Sequence, residues 1–240
     1  MAWPAYVMEV IPFEGNGNGL LGNFNLTNVG AGATYQNEGD AKIGTQTMSV
    51  QAAHETLRFS TGPAGLVAAL ALKSSWTIEF WMKFALGNNP SVWNVPFGAP
   101  WYSQGVNTAG WSLQNHTTLQ QMTINGINTS EAEPFVAGWH FLSVQWDDAA
   151  NQAKFFKDGI QVGGTLAVNN NLFATLVVDF RIGDCALYGV TFHRDCRFDK
   201  LIISDVLRNG VETIEVPPSI AAGFSKDSFA GGRISKGGFR

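Results

Sequence analysis

Apolar and polar residues alternate along most of this sequence, and the stretch SSWTIEFWMKF (residues 74–84) shows the pattern clearly. A period of two is typical of a β-strand, because successive side chains of a strand point to opposite faces. One face of this stretch is apolar and is predicted to enter a core. The other face is polar except for Trp81, whose indole we expect to pack outward on a second layer or on a neighbouring chain. The five inward residues are Trp76, Ile78, Phe80, Met82 and Phe84.

Short strands bounded by Gly, Asn, Pro and Asp are predicted through the rest of the chain. A turn signal every 8 to 12 residues or so indicates an antiparallel sandwich or barrel, and 240 residues are enough for one large β domain. In the stretch 139–146 the residues Leu142, Val144 and Trp146 share one face. The predicted strands outside the hairpins lie at 5–13, 74–84, 110–116, 120–126, 139–146, 176–184 and 198–206.

Two hairpins are predicted. Residues 45–51 and 55–60 are expected to pair with each other. Residues 153–164 form the second hairpin around Lys157-Asp158-Gly159, because Asp and Gly tolerate the positive φ that a tight turn requires. The inward residues of the first hairpin are predicted to be Met48, Val50, Leu57 and Phe59.

Three stretches do not follow the strand pattern. Residues 64–72 (AGLVAALAL) are compatible with a short helix or a buried loop. Residues 14–32 are rich in Gly and Asn and are poor strand formers. Residues 86–100 contain three prolines and are predicted to form a long loop.

Composition narrows the classes of function. Hydrophobic residues make up 45% of the chain and charged residues only 14%, which favours a surface partly covered by other chains. The net charge of −4 argues against nucleic acid as a partner, since binding phosphates requires clustered Lys and Arg. No stretch has the roughly 18 apolar residues that span a bilayer, and the first residues lack the basic region of a signal peptide. We therefore expect no membrane contact and synthesis in a cytoplasm without a cleaved signal.

The composition changes once, near residues 216–218, where the chain becomes rich in Gly, Ser and Ala. Such a segment cannot bury enough apolar surface to fold alone, so residues 217–240 are expected to be a flexible arm or an arm docked on a partner. Residues 1–216 are expected to form the folded domain. The residues predicted to contact a partner are Trp81, Phe224, Phe229, Arg233, Lys236, Phe239 and Arg240.

The two cysteines leave three alternatives. Cys185 and Cys196 could form a disulfide if the strands around 180–184 and 197–201 pair, because their Cα atoms would then lie within bridging distance. They could equally remain reduced thiols. A zinc site with His193 lacks the fourth ligand that tetrahedral zinc requires.

Three stretches carry a resemblance to a known family. SSWTIEFWMKF resembles the F-T-I-E-F-W-V strand of concanavalin A-like, laminin G-type jelly rolls. GWHFLSVQWDDAANQAKFFKDGIQVGG is similar to the W-H-H-V-A…D…K-L-Y-V-D-G segment of that family, and FRIGD…RFDKLIISDVLRN is similar to its closing strands. The opening VMEVIPFEGNGNG resembles versions found in bacteriophage structural proteins.

The resemblance implies an all-β fold, a two-sheet antiparallel jelly-roll sandwich. Lys157 departs from the aliphatic residue usual in the family, so its strand is expected at a sheet edge. The E-x-D-x-x-E pattern of the β-glucanases of this fold is absent, which favours a protein without catalytic activity. The calcium ion of laminin G-type domains could be held by Asp184 and Asp195, or these acids could pair with neighbouring arginines.

Two functions remain as hypotheses. The first is a non-enzymatic structural protein of a virion, a capsid decoration or appendage subunit that acts through contacts with other virion proteins and forms a homo-oligomer. The alternative is a carbohydrate-binding module that recognises a glycan on a host surface. The aromatic residues predicted to contact such a glycan are Trp93, Trp101, Tyr102 and Trp111.

Overall fold

The structure is a computed structural model. It describes residues 3–30, 34–50, 55–59, 65–84, 94–98, 102–103, 106–107, 111–116, 119–124, 127–131, 138–167, 181–183 and 196–212. Almost every element in these ranges is a strand. The first elements are β1 (Val7–Ile11), β2 (Leu26–Gly30), β3 (Thr34–Asn37), β4 (Gln46–Val50), β5 (Glu55–Phe59), α1 (Leu66–Ala71), β6 (Ser75–Phe84), β7 (Asn94–Gly98), β8 (Tyr102–Ser103) and β9 (Val106–Asn107). They are followed by β10 (Trp111–His116), β11 (Leu119–Ile124), β12 (Ile127–Glu131), β13 (Gly138–Asp147), β14 (Gln152–Lys157), β15 (Ile160–Gln161), β16 (Leu166–Ala167), β17 (Arg181–Gly183) and β18 (Cys196–Ser204).

The strands form two large antiparallel sheets. The larger, nine-stranded sheet has the order β15-β14-β13-β6-β18-β4-β3, with β1 paired to β18 and β16 paired to β14. The smaller, seven-stranded sheet has the order β12-β11-β10-β7-β17-β5-β2. Strands β8 and β9 form a separate pair. Within the described residues, no helix is both long and apolar enough to cross a bilayer.

The main core lies between the two sheets, as in a β-sandwich. Trp76, Ile78, Phe80 and Met82 on β6 are fully buried there, which confirms the inward face predicted from the alternation. Leu57 and Phe59 of the smaller sheet belong to the same cluster. The predicted inward residues Met48, Leu142, Val144 and Trp146 are also buried in it.

Several strands and the second hairpin are confirmed. The chain turns from β14 into β15 with φ values of 49° at Asp158 and 83° at Gly159, as an Asp-Gly turn requires. The Asp158 carboxylate accepts the Phe141 backbone N–H at 2.9 Å and lies 2.7 Å from His140 Nδ1, which ties this turn to β13. Residues 66–71 form the helix α1, one of the two alternatives predicted.

The first predicted hairpin is wrong. Strand β4 pairs with β3 and β18 in the larger sheet, whereas β5 pairs with β2 and β17 in the smaller sheet. The chain therefore crosses from one sheet to the other between the two strands. Their apolar residues meet face to face across the core instead of side by side along a hairpin.

Four further predictions need correction. Residues 26–30 form β2 within the Gly- and Asn-rich stretch, and residues 94–98 form β7 inside the predicted long loop. Strands β17 and β18 lie in different sheets, so the strand pairing that suggested a disulfide does not exist. Lys157 does not lie on an outermost strand, because β15 and β16 pair with β14 over two residue pairs each.

A buried carboxylate organises the loop that follows β1. Glu9 is fully buried and accepts backbone N–H groups from Val10, Leu21, Asn23 and Phe24 at 2.8–2.9 Å. Gly19 lies so close to this carboxylate that a Cβ at that position would be 2.2 Å from the Glu9 carboxyl carbon. The loop 14–25 is therefore ordered by one acid and not by strand pairing alone.

Candidate functional site

The candidate site lies on the outer face of the larger sheet, the face turned away from the smaller sheet. Strand β6 supplies Trp81 and Lys83 to this face, in the alternate positions to its core residues. Strand β13 runs antiparallel beside it, so that Phe141 lies opposite Trp81 and Trp139 lies opposite Lys83. Cross-strand neighbours of this kind have side chains close enough to touch. The pairing of β6 with β13 therefore brings the two tryptophans, which are far apart in the sequence, onto one patch.

Two indoles and two ammonium groups meet on this patch, which we name the tryptophan–lysine surface (Trp81, Trp139, Lys42 and Lys83). The Lys42 Nζ lies 4.3 Å from the centre of the Trp81 ring and 6.0 Å from that of Trp139. The Lys83 Nζ lies 5.7 Å from the Trp139 ring centre. A cation within about 6 Å of an indole face is attracted to the negative face of the ring. Both indoles are half-buried and Lys42 is exposed, so the patch is open to solvent.

The Trp81 indole is held by its own chain. Its N–H donates to Glu212 Oε1 at 2.8 Å, and its ring packs on Phe141 with the centroids 5.5 Å apart and the planes tilted by 51°. The same Glu212 oxygen accepts a hydrogen bond from the Lys200 ammonium. The second layer expected over Trp81 is therefore formed by residues of this chain. Its contact with another chain stays a prediction.

Lys83 is neutralised by two acids of the loop before β4. Its ammonium donates to Glu38 at 2.8 Å and to Asp40 at 3.1 Å. Burial raises the pKa of Asp40, but the Trp139 indole and the Lys83 ammonium beside it outweigh that effect, so the pKa of Asp40 lies below its usual range. Asp40 is consequently a carboxylate at neutral pH.

Lys42 is positioned by a buried acid beneath it. The Asp199 carboxylate accepts the backbone N–H groups of Lys42 and of Ile43, the latter at 2.9 Å. Asp199 also accepts the Lys200 N–H at 2.7 Å. Strand β18 has a register shift against β6 between Asp199 and Ile202, and Lys200 adopts a φ of 49° there. This bulge directs neighbouring charged residues toward both the loop and Glu212.

The chain after β18 covers the rest of the outer face, and we name residues 205–212 the strap. Arg208 of the strap forms an ion pair with Glu79, in which Nε of Arg208 lies 2.8 Å from Oε2 of Glu79. Both side chains are almost fully buried. Burial raises the pKa of Glu79 to about 7 against the opposing effect of Arg208. Asn209 exchanges two hydrogen bonds with Gln145 of β13, at 2.9 and 3.1 Å. The strap thereby holds Glu212 against Trp81.

Trp81 is the one sequence-predicted site residue that the structure places on this surface. Tyr102 begins β8 and Trp111 begins β10, and their side chains lie outside the described part of the chain. Cys196 is buried in β18, opposite Val50 and Phe84. The other predicted site residues lie outside the described residues: Trp93, Trp101, Asp184, Cys185, Asp195, Phe224, Phe229, Arg233, Lys236, Phe239 and Arg240.

Sequence reasoning missed Trp139 and Lys42. The alternation in 139–146 contained a signal for Trp139, since the core residues of that stretch are even-numbered and Trp139 therefore belongs to the outer face. Nothing in the sequence signals Lys42, which lies in a loop without periodicity. No group of three His, Cys, Asp or Glu side chains suited to a metal ion occurs among the residues that the structure describes.

Comparison with known proteins shows likeness in fold. No protein-family model matches the sequence, and no curated protein matches it either. Among solved structures, the Trypanosoma rangeli sialidase matches with a TM-score of 0.58 at 12% identity, over 96% of this chain and 34% of the sialidase chain. A structure of botulinum neurotoxin type C matches with a TM-score of 0.55 at 13% identity, over 91% of this chain and 50% of the neurotoxin chain. The cell entry of that toxin is dependent upon interaction with two ganglioside molecules.

The CBM40 domain of the Ruminococcus gnavus IT-sialidase matches with a TM-score of 0.50 at 11% identity, over 80% of this chain and 98% of that domain. At such identities the likeness shows the fold, a β-sandwich, and no more. This chain spans about half the length of the neurotoxin chain and about a third of the sialidase chain.

Proposed function

We propose that this chain is a non-catalytic carbohydrate-binding module whose glycan contacts the tryptophan–lysine surface. The observation that carries the proposal is the pair of indoles, Trp81 and Trp139, held near one ammonium group on an open face of a β-sandwich. The fold likeness supports it, because a whole CBM40 domain and a neurotoxin that depends on gangliosides are built on similar sandwiches.

The chemistry of the surface suits a sugar. A pyranose ring has an apolar face of C–H groups that packs on an indole, and a rim of hydroxyls that bond to charged side chains. Trp139 supplies half-buried aromatic area, and Asp40 and Lys83 lie beside it with charged groups that accept and donate.

The acids on this surface do not have the properties of a catalytic pair. A glycosidase needs one carboxyl that remains protonated to donate to the leaving group. Asp40, the most exposed acid beside the indoles, has its pKa lowered by Trp139 and Lys83. Glu212 is engaged by both Lys200 and Trp81. These contacts favour binding over hydrolysis.

A glycan array probed with the full chain tests the proposal, followed by titration of the best ligand against Trp139→Ala. Removing the indole should weaken binding by roughly tenfold or more, because burying such a side chain is worth about 1.5–3 kcal/mol. Ile160→Ala is the matched control, since Ile160 is an exposed apolar residue on the same sheet. An array without any ligand, or equal binding by Trp139→Ala and wild type with an unchanged fold, would overturn the proposal.

The role as a structural protein of a virion stays a prediction from the sequence. The arm on which that hypothesis depends, residues 217–240, lies outside the residues that the structure describes. A homo-oligomer and a site in a virion likewise stay predictions. Size measurement of the purified chain in solution would test the first of these directly.

A further inference from the structure

Among the residues that the structure describes, the charged groups around the two indoles are paired with one another, with a single exception. Paired charges contribute little net field outside the surface, whereas an unbalanced charge attracts an opposite one. The exception is Lys42. The paired groups are Lys83 and Arg197 with Glu38 and Asp40, Lys200 with Glu212, and Arg208 with Glu79.

The Lys42 ammonium has no carboxylate within ion-pair distance among the residues that the structure describes. Among those residues, the ammonium contacts the faces of Trp81 and Trp139. Asp199 accepts the backbone N–H of Lys42 and not its ammonium, and Asp199 is fully buried. Burial also raises the pKa of Asp199 to about 7, against the hydrogen bonds from the backbone, so its negative charge is incomplete at neutral pH.

The ammonium is held in place by its surroundings. Its backbone is fixed by Asp199, and the Trp81 ring below it is fixed by Glu212 and Phe141. A charged group held by a cation–π contact loses little freedom when a ligand arrives, which reduces the entropic cost of binding. The exposed side of the Lys42 ammonium therefore presents ready donors beside two aromatic faces.

We infer that the ligand of the tryptophan–lysine surface is a glycan with a negatively charged sugar, whose anionic group pairs with Lys42 while a sugar ring packs on the indoles. The inference rests on the proposed function and specifies its ligand class. A lysine ammonium is a point charge and does not select between a carboxylate and a sulfate, so sugars with either group qualify. A neutral glycan would leave Lys42 without a counter-charge.

The test titrates the full chain with 3′-sialyllactose, with a sulfated lactose and with lactose as the neutral counterpart, followed by tryptophan fluorescence or calorimetry. The anionic sugars should bind at least roughly tenfold more tightly than lactose, since a hydrogen bond to a charged group is typically worth that factor. Lys42→Met keeps the aliphatic chain and removes the charge, and it should abolish this preference.

Lys154→Met is the matched control, because Lys154 lies on the same sheet, opposite Gln145, and away from the indoles. It should bind the anionic sugars like wild type. Equal affinity for lactose and its anionic forms, or unchanged anionic binding by Lys42→Met, would overturn the inference. If neutral glycans bind and Trp139→Ala weakens them, the proposed function survives without this ligand class; if no glycan binds, both fail.

The anionic sugar could be presented in solution or on a lipid. Phosphatidylcholine vesicles with and without a sialylated ganglioside separate these sources. Binding to soluble 3′-sialyllactose and to ganglioside vesicles alike indicates that the sugar alone is recognised. Binding to the ganglioside vesicles alone still supports the ligand class, provided that Lys42→Met loses it, and assigns the lipid-borne source.

Discussion

Removing Arg208 should destabilise this protein strongly, and more at high pH than at low pH. Arg208 and Glu79 form an ion pair of 2.8 Å with 5% and 1% of the two side chains exposed. Arg208 also donates to the Val211 carbonyl at 3.1 Å and lies over Tyr6, 5.9 Å from the ring centre. The substitution Arg208→Met keeps much of the packing volume and removes the charge.

The expected cost follows from the burial of the partner. Breaking a buried pair by removing one member costs about 3–5 kcal/mol, because the other charge is left uncompensated. Glu79 can avoid this cost by taking up a proton. Its pKa is already raised to about 7 by burial, and losing the opposing Arg208 raises it further. The destabilisation is therefore expected to be larger near pH 8 than near pH 5.5, where the carboxyl is neutral.

Urea unfolding followed by tryptophan fluorescence at pH 5.5 and pH 8 measures both values. The matched control is Lys73→Met, which removes the more exposed pair with Asp205 at 38% and 29% exposure. That pair should contribute no more than about 1 kcal/mol. The double variant Glu79→Leu/Arg208→Met should be less destabilised than the sum of its single variants. A loss below about 1 kcal/mol at pH 8 for Arg208→Met, independent of pH, would refute the reasoning.

Two further predictions concern the buried acids. Gly19→Ala should lower stability by roughly 1–3 kcal/mol, because its Cβ would overlap the Glu9 carboxyl group. The control Gly164→Ala has open space at its Cβ and should not lower stability. Thermal melts of the two variants measure the difference. Wild-type stability should fall as the pH rises from 5 to 8. Burial raises the pKa of both Glu79 and Asp199 in the folded state to about 7. The folded state therefore binds their protons more tightly than the unfolded state does, and the stability gained in this way is lost as the pH rises toward and through 7. Asp199→Asn should make the melting temperature less dependent on pH, and a melting temperature that rises over this range in wild type would contradict the assignment.

The local pattern of the sequence was sufficient for several of the strands and for the sides that they bury. On β6, Trp76, Ile78, Phe80 and Met82 were predicted inward and are buried, and the same holds for Leu142, Val144 and Trp146 on β13. The Asp158-Gly159 turn was predicted from its two residues alone. These features depend on residues within a few positions of one another. The period of two and the φ preference of the turn residues are therefore enough to predict them.

The partners of each strand were decided by the tertiary structure. Residues 51–54 are short enough for a hairpin and also long enough to cross between sheets, and the apolar faces of β4 and β5 are satisfied by either arrangement. In the structure, β3 and β18 pair with β4, whereas β2 and β17 pair with β5, and these partners lie in different sheets. A one-dimensional pattern specifies that a face is buried, but it does not specify what buries it.

The candidate site depends on contacts that are distant along the chain. Lys42 reaches Trp81 because Asp199, 157 residues later, binds its backbone N–H, and Glu212 reaches the same indole from 131 residues away. The sequence by itself determined that Trp81 faces away from the core. The tertiary structure alone brought a lysine, a second indole and a glutamate to it, because the free energy of burying Asp199 and Glu79 with their partners is set by the whole fold and by no local stretch.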